Sequence, residues 1–191
     1  MLASPENIVV IKNFISNEHL EIAQRYCESI KTWTSQFVGK NDKISTATEM
    51  ELNCPELHGI MQSYINIVKE KIEYMFGREL EKATVGIRRW DVAESQPPHG
   101  DGENLDGEPN NTYIVDYGSI MYLNDNYLGG ELYFPEYDLE IRPESGMLVF
   151  FPSGKYYIHE VRQIFSGVRY TAPHFWIPTK HRRLINIVKN E

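Results

Sequence analysis

Cysteine is scarce in this chain. Cys27 and Cys54 are the two among 191 residues, and neither belongs to a Cys-x-x-Cys pair. Two such thiols exclude a disulfide framework; reduced thiols are expected, which suits a reducing compartment. Long apolar runs are also missing, so no membrane span is expected. The opening residues, MLASPENIVVIKNF, lack a basic stretch followed by a long apolar one, so a cytoplasmic location is expected without a signal peptide. Positive charge is short as well: 19 Lys and Arg stand against 27 Asp and Glu, a net charge of −8. An acidic surface repels phosphate backbones, which disfavours nucleic acid as a partner. The one basic cluster, Lys180-His181-Arg182-Arg183, reads as a solvated tail. The same acidic surface would attract a basic peptide.

What the chain does have is material for a core. Its 41% hydrophobic and 12% aromatic content suits a single compact domain over residues 1–191. Residues 8–15, IVVIKNFI, read as a strand. Ser16 or Asn17 then caps a helix to about residue 31, with Leu20, Ala23, Tyr26, Cys27 and Ile30 on one face. Residues 32–53 are polar and read as a long loop, of the kind that often covers a site. Pro55 opens a second helix whose apolar stripe runs through Leu57, Ile60, Met61, Tyr64, Ile65, Val68, Ile72 and Met75 until Gly77 stops it. Beyond it the segments 84–92, 112–124, 130–134, 138–142, 146–151, 156–164 and 168–177 are short, aromatic or β-branched, and punctuated by Gly, Pro, Asn or Asp. Many short strands at close spacing predict a sandwich or barrel. The division expected is helical support over 1–84 and a β core over 85–178.

The chemistry concentrates in four residues of that β region. His99 and Asp101 lie one residue apart in PPHGDG, and His159 follows about sixty residues later in IHEV. On a strand, positions i and i+2 share a face, so His99 and Asp101 can reach one ion. A second imidazole brought in by an antiparallel strand completes a 2-His-1-carboxylate triad, which holds Fe(II) on one side and leaves the other open to oxygen chemistry. Gly100 and Gly102 leave room for close approach. Arg169 lies in an apolar strand pattern, where a guanidinium can clamp the carboxylate of an acidic co-substrate. His174 in APHFW is the competing imidazole and reads as structural.

Four blocks in order resemble the prolyl 4-hydroxylase family of 2-oxoglutarate/Fe(II) dioxygenases over about residues 85–176. They are RRWDVAESQPPHGD; MYLNDNYLGG with ELYF; PESGMLVFF; and IHEVRQIFSGVRY. The resemblance implies a double-stranded β-helix, a cupin-like jelly roll, with the metal at its open end and helices bracing it. It implies His99, Asp101 and His159 as iron ligands, and Arg169 in place of the lysine that pairs with the distal carboxylate of 2-oxoglutarate. Gln96 stands where many relatives have a tyrosine on the co-substrate carboxylate, and Tyr122 is a further co-substrate contact. Trp90 replaces another tyrosine, and Leu132 stands where the family has threonine. Arg88, Trp90 and Tyr122 are expected at the barrel mouth, and residues 33–54 and 102–117 as lids.

The implied activity is hydroxylation of an unactivated C–H bond, with peptidyl proline as the expected substrate and succinate and CO2 as co-products. Oxygen is then a co-substrate, and ascorbate a reductant for the iron. Two other readings stand beside it: the same chemistry on a free amino acid, another small molecule or a nucleobase, and a non-catalytic metal-binding jelly roll.

Overall fold

The structure is a computed structural model that describes residues 3–34, 43–84 and 86–179. The basic cluster at 180–183 lies outside those residues, as do positions 35–42 of the first expected lid. Along the chain run β1 (Val9–Ile11), α1 (Asn17–Ser29), β2 (Lys43–Ser45), α2 (Ala47–Asn53), α3 (Pro55–Phe76), β3 (Leu80–Thr84), β4 (Ile87–Trp90), β5 (Gln96–His99), β6 (Tyr117–Tyr122) and β7 (Leu128–Gly129). There follow β8 (Leu132–Phe134), β9 (Leu139–Ile141), β10 (Leu148–Pro152), β11 (His159–Val161), β12 (Ile164–Ser166) and β13 (Arg169–Pro178).

The helices form for local reasons that the sequence states. Ser16 caps α1, its hydroxyl accepting from the His19 N–H at 3.3 Å. Pro55 sits in the first turn of α3, where its missing N–H costs nothing. Gly77, at φ 63°, closes that helix in the left-handed region, its N–H donating to the Glu73 carbonyl. The buried stripe of α3 is Leu57, Met61, Ile65, Val68, Ile72 and Phe76, spaced to fall on one side of a 3.6-residue period. Each such side chain contributes about 1.5–3 kcal/mol when fully buried. Met75, expected in that stripe, is 43% exposed, and Phe76 takes its place.

The loop expected over 32–53 is corrected by β2 and α2. The missed signal is a capping box: Thr46 accepts from the Glu49 N–H, and the Glu49 carboxylate accepts from the Thr46 N–H at 2.7 Å. That reciprocal pair satisfies two orphan donors and starts a helix in a stretch whose composition looks irregular. The first 84 residues also supply β1, β2 and β3 to the main sheet.

Among the described residues that sheet has the order β1-β10-β6-β13-β4-β2, with β3 also paired to β13. A second sheet, β5-β11-β8-β9, faces it, and β12 pairs with β7 beside it. From β6 onward the chain crosses from the main sheet to β8 and β9 of the second, back to β10, over to β11 and back to β13, the winding of a jelly roll. Helices α1 and α3 cover the outer face of the main sheet, where Leu57, Ile65 and Ile72 pack with Tyr117, Met121, Leu148, Phe150 and Trp176. The inner face carries Tyr122, Val149 and Phe151, which meet Leu132, Phe134 and Ile141 of the second sheet. The architecture is thus α+β, mainly β: a double-stranded β-helix braced by N-terminal helices. Among the described residues no helix is long and apolar enough to cross a membrane.

Candidate metal and co-substrate site

Strand parity decides which residues can react. Along β13, Arg169, Thr171, Pro173 and Phe175 line the cavity between the sheets. The residues between them, Tyr170, Ala172 and Trp176, belong to the helix-side core. His174 shares that second parity. It is 2% exposed, its Nδ1 lies 3.1 Å from the Ala172 carbonyl, and it borders Met61, Gln62 and Ile65 of α3. The competing imidazole is therefore on the wrong side of the sheet to share an ion with the other two.

His99 ends β5 and His159 begins β11, and the two are direct partners across the ladder, with ring centroids 4.3 Å apart. Asp101 is not on the strand with His99, as expected from the i, i+2 rule, but in the bend that follows. The physical reason is Gly100, where a side chain would collide with the Glu103 carbonyl as the chain turns. Convergence survives the change: Asp101 Oδ1 lies 3.9 Å from His99 Nε2 and 4.0 Å from His159 Nε2, and the three ligand atoms fall within 4.8 Å of one another. Gly118 on β6 faces them, and a Cβ there would strike Asp101 Oδ2.

The donor set suits a divalent cation. Each imidazole directs Nδ1 at the carbonyl two residues back, His99 to Pro97 at 2.9 Å and His159 to Tyr157 at 3.1 Å. Those bonds place the proton on Nδ1 and turn the Nε2 lone pairs toward Asp101. Burial lowers the pKa of both imidazoles to about 4, with the neighbouring His159 adding to the effect on His99. Burial likewise raises Asp101 to about 6, against a smaller lowering by His99. At neutral pH the cluster is two neutral imidazoles and a carboxylate, so the close approaches are not ion pairs. His159 is walled by Phe151 and Phe134, at ring-centroid distances of 4.6 and 5.6 Å, which hold its ring in place.

The cavity that contains the triad has a volume of about 560 Å³ and also reaches Gln96, Arg88, Trp90, Thr112 and Arg169. That is within the usual range for small-molecule sites. Arg169 is 1% exposed, and among the described residues none of its Nε, Nη1 and Nη2 atoms has a hydrogen-bond partner of good geometry. The hydroxyls of Tyr122 and Tyr127 are likewise buried without a partner. The guanidinium carbon lies 5.1 Å from the Trp90 ring centroid and 5.2 Å from that of Tyr122. Burial raises both tyrosine pKa values, opposed by the nearby Arg169 charge, so both phenols keep their protons as donors. A buried cation without a hydrogen-bonded counter-ion is costly, and one beside two idle hydroxyls is a receptor for a carboxylate.

Tyr122, expected at the barrel mouth, is instead fully buried behind the cavity wall, beside Arg169. Gln96 lines the cavity, but its amide lies on the triad itself, Nε2 at 2.9 Å from His99 Nε2. Arg88 and Trp90 are also at the cavity, the Arg88 guanidinium 3.8 Å above the indole. Tyr127 was missed: it precedes the Gly129-Gly130 turn and falls outside every periodic segment. Its signal is indirect, for Gly130, at φ 70°, would place a Cβ 3.0 Å from Arg169 Cδ and 3.2 Å from Tyr127 Cε2.

Two neutral imidazoles and a carboxylate inside a jelly roll, across from a buried guanidinium, define a non-haem iron oxygenase class of site. In agreement, the 2OG-Fe(II) oxygenase superfamily model matches residues 87–177. Human prolyl 3-hydroxylase 2 is 32% identical over 110 residues, 51% of this chain and 16% of that protein. Human prolyl 3-hydroxylase 3 is 38% identical over 103 residues, 46% of this chain and 14% of that protein. The chain therefore spans well under a fifth of the curated relatives it matches. Among solved structures, the viral collagen prolyl hydroxylase of Paramecium Bursaria Chlorella virus-1, in a 2OG complex, aligns with TM-score 0.70 at 15% identity, covering 94% of this chain and 99% of that one. The Trichoplax adhaerens prolyl hydroxylase, in complex with a hypoxia inducible factor oxygen degradation domain peptide fragment, aligns with TM-score 0.69 at 17% identity, covering 94% of this chain and 87% of that one. At those identities the structural likeness concerns the fold.

Proposed function

We propose that the protein is an Fe(II)- and 2-oxoglutarate-dependent dioxygenase that hydroxylates proline within a peptide. The observation that carries the reading is one cavity holding a His99-Asp101-His159 donor set and an unpartnered, buried Arg169 guanidinium. His99, Asp101 and His159 would hold the iron, which would supply dioxygen activation for oxidation of a substrate C–H bond coupled to decarboxylation of 2-oxoglutarate to succinate and CO2. The protein's own residues hold and orient. Arg169 takes the distal carboxylate of 2-oxoglutarate as a bidentate pair, with the Tyr122 and Tyr127 hydroxyls as further donors. Gln96 donates to a co-substrate oxygen beside His99. Phe134, Phe151 and Trp90 keep water from the reacting atoms, and residues 102–117 serve as a lid.

A proline-containing peptide is favoured by the relatives, prolyl 3-hydroxylases by sequence and a prolyl hydroxylase with a bound peptide by fold. The net charge of −8 favours a basic one. Free Cys27 and Cys54 support a reducing, cytoplasmic setting, and ascorbate is the reductant expected to keep the iron ferrous.

The test is succinate release from 2-oxoglutarate with Fe(II), ascorbate and a panel of short proline peptides, read with mass spectrometry of the peptides. A gain of one oxygen on proline, dependent on 2-oxoglutarate, is expected. Turnover with free amino acids or nucleobases and none with any peptide would reassign the substrate. No succinate under any condition, even uncoupled, would leave a metal-binding jelly roll.

A further inference from the structure

The triad is held in two different ways. His99 and His159 are locked by a strand ladder, since they pair directly across β5 and β11. Asp101, the single anionic member, lies past the end of β5 and has no ladder to hold it. Its segment is fastened on one side by the Gly102 N–H to the Ser153 carbonyl at 3.2 Å and on the other to the loop that follows. The Thr112 hydroxyl lies 2.6 Å from the Asp101 carbonyl and 2.9 Å from Asn110 Oδ1. A hydroxyl has one proton, and the shorter contact takes it, so Thr112 donates to Asp101. Asn110 Oδ1 accepts instead from the Thr112 N–H at 2.8 Å, which turns the amide nitrogen toward the Gly100 carbonyl at 2.9 Å. The carbonyls of Gly100 and Asp101 are thus gripped by two adjoining side chains.

We propose that Asn110 and Thr112 are positioning residues of the metal site, and that through them the order of the 102–115 loop and the affinity for metal form one equilibrium. The proposal rests on the metal-site reading above and adds a mechanism to it. Neither residue touches the ion; each sets where the Asp101 carboxylate stands. The ends of the loop are tied to the segment after β10, Gly102 N–H to the Ser153 carbonyl, Lys155 N–H to the Glu103 carboxylate and the Ser153 hydroxyl to the Val115 carbonyl. Bonds between those ends, such as Asn104 N–H to Glu108 O and Tyr113 N–H to Asn110 O, are local, so the clamp is what joins the middle of the loop to Asp101. By linkage, what stabilises Asp101 stabilises the loop, and what docks on the loop tightens the metal. The loop projects Leu105, 65% exposed, and Tyr113, 58% exposed, beside the cavity that Thr112 lines, which places it where an incoming substrate would press.

The experiment uses the 191-residue chain stripped with chelator and titrated with Co(II) alone, followed by the visible absorption of the bound ion and by hydrogen exchange of residues 102–115. Thr112→Val keeps the volume and removes the donor, and is expected to weaken Co(II) about 10-fold, the lower end of what outer partners of metal ligands contribute. Asn110→Ala is expected to act in the same direction, and Thr112→Ser to restore affinity to within about twofold, since it returns the hydroxyl. Co(II) is expected to slow exchange across 102–115 in the parent protein and to do so far less in Thr112→Val. Folded variants with parental Co(II) affinity, or a loop that responds equally in both, would overturn the proposal while leaving the dioxygenase reading intact. Loss of fold in both variants would overturn it too, because the bonds would then hold the fold and not the site. A parent protein that binds no Co(II) would sink both readings together.

Discussion

The two faces of β13 are built from alternating residues of one strand, yet they obey opposite rules. On the helix side, Trp176 donates to Ser119 Oγ at 2.8 Å, His174 donates to the Ala172 carbonyl, and the remaining residues pack against α1 and α3. On the cavity side, Arg169 and the hydroxyls of Tyr122 and Tyr127 are buried and unsatisfied, and the three metal-ligating atoms converge on the cavity, with the Gln96 amide on His99 Nε2. The helix face leaves one neutral donor unpaired, Trp33 Nε1 where the indole stacks on Tyr170, whereas the cavity face leaves a whole guanidinium and two hydroxyls ready for a ligand. The difference teaches that a buried charge without a partner, more than the depth of burial, marks the working side of the sheet.

That contrast breaks most sharply at the triad. His99→Ala, Asp101→Ala or His159→Ala should reduce succinate formation by at least about 1,000-fold, roughly 4 kcal/mol in barrier terms. The melting temperature of metal-free Asp101→Ala should not fall below the parent's, because burial already opposes the charge of that carboxylate. Turnover retained in folded Asp101→Ala would remove the carboxylate from the site. The converse change is on the helix face: Ile72→Ala, at a fully buried position, should cost about 2–5 kcal/mol of stability while leaving the KM for 2-oxoglutarate unchanged. Chemical denaturation and kinetics on the same preparation separate the two outcomes. A large KM shift in Ile72→Ala would show that the two faces are not independent.

Arg169 sharpens the comparison, since it is a cavity-side residue whose effects on stability and binding should have opposite signs. Arg169→Met removes a desolvated cation and should raise the melting temperature of the protein without co-substrate. The same change should abolish the further rise that 2-oxoglutarate gives. Arg169→Ala should raise the KM for 2-oxoglutarate about 100-fold, within the 2–5 kcal/mol that losing one member of a buried charge pair costs. Arg169→Lys should recover part of it. A thermal shift by 2-oxoglutarate that survives in Arg169→Met would place the distal carboxylate elsewhere.

Much of this was legible in the residues, and unevenly so. The long helix and the strand-rich half follow from hydrophobic period alone, and α1 and α3 begin at Ser16 and Pro55 as the capping chemistry predicts. The convergence of His99, Asp101 and His159 came from motif order, because nothing local to His159 announces a partner sixty residues away. What failed was where local polarity hid a stronger signal. Thr46 and Glu49 start a helix inside an apparent loop, and Gly100 turns the chain before Asp101 can share a strand with His99. Parity on β13 also could not be assigned from sequence, since both faces of that strand are buried and its hydrophobic run does not alternate. That ambiguity is why His174 looked like a competitor until its face was known.

Tyr127 is the finest probe of the cavity side, because no motif drew attention to it and its hydroxyl is buried and unpartnered beside the guanidinium. Tyr127→Phe changes one oxygen and keeps the ring that packs on Gly130. If the hydroxyl helps to hold the distal carboxylate, the KM for 2-oxoglutarate should rise about 10-fold, near the 1.5 kcal/mol of a single hydrogen bond to a charged group, with kcat unchanged. If it does not, removing an idle buried hydroxyl should leave KM alone and raise the melting temperature slightly. The two outcomes differ in sign as well as size, so steady-state kinetics and a thermal melt on one variant decide whether the unsatisfied phenol belongs to the receptor or merely borders it.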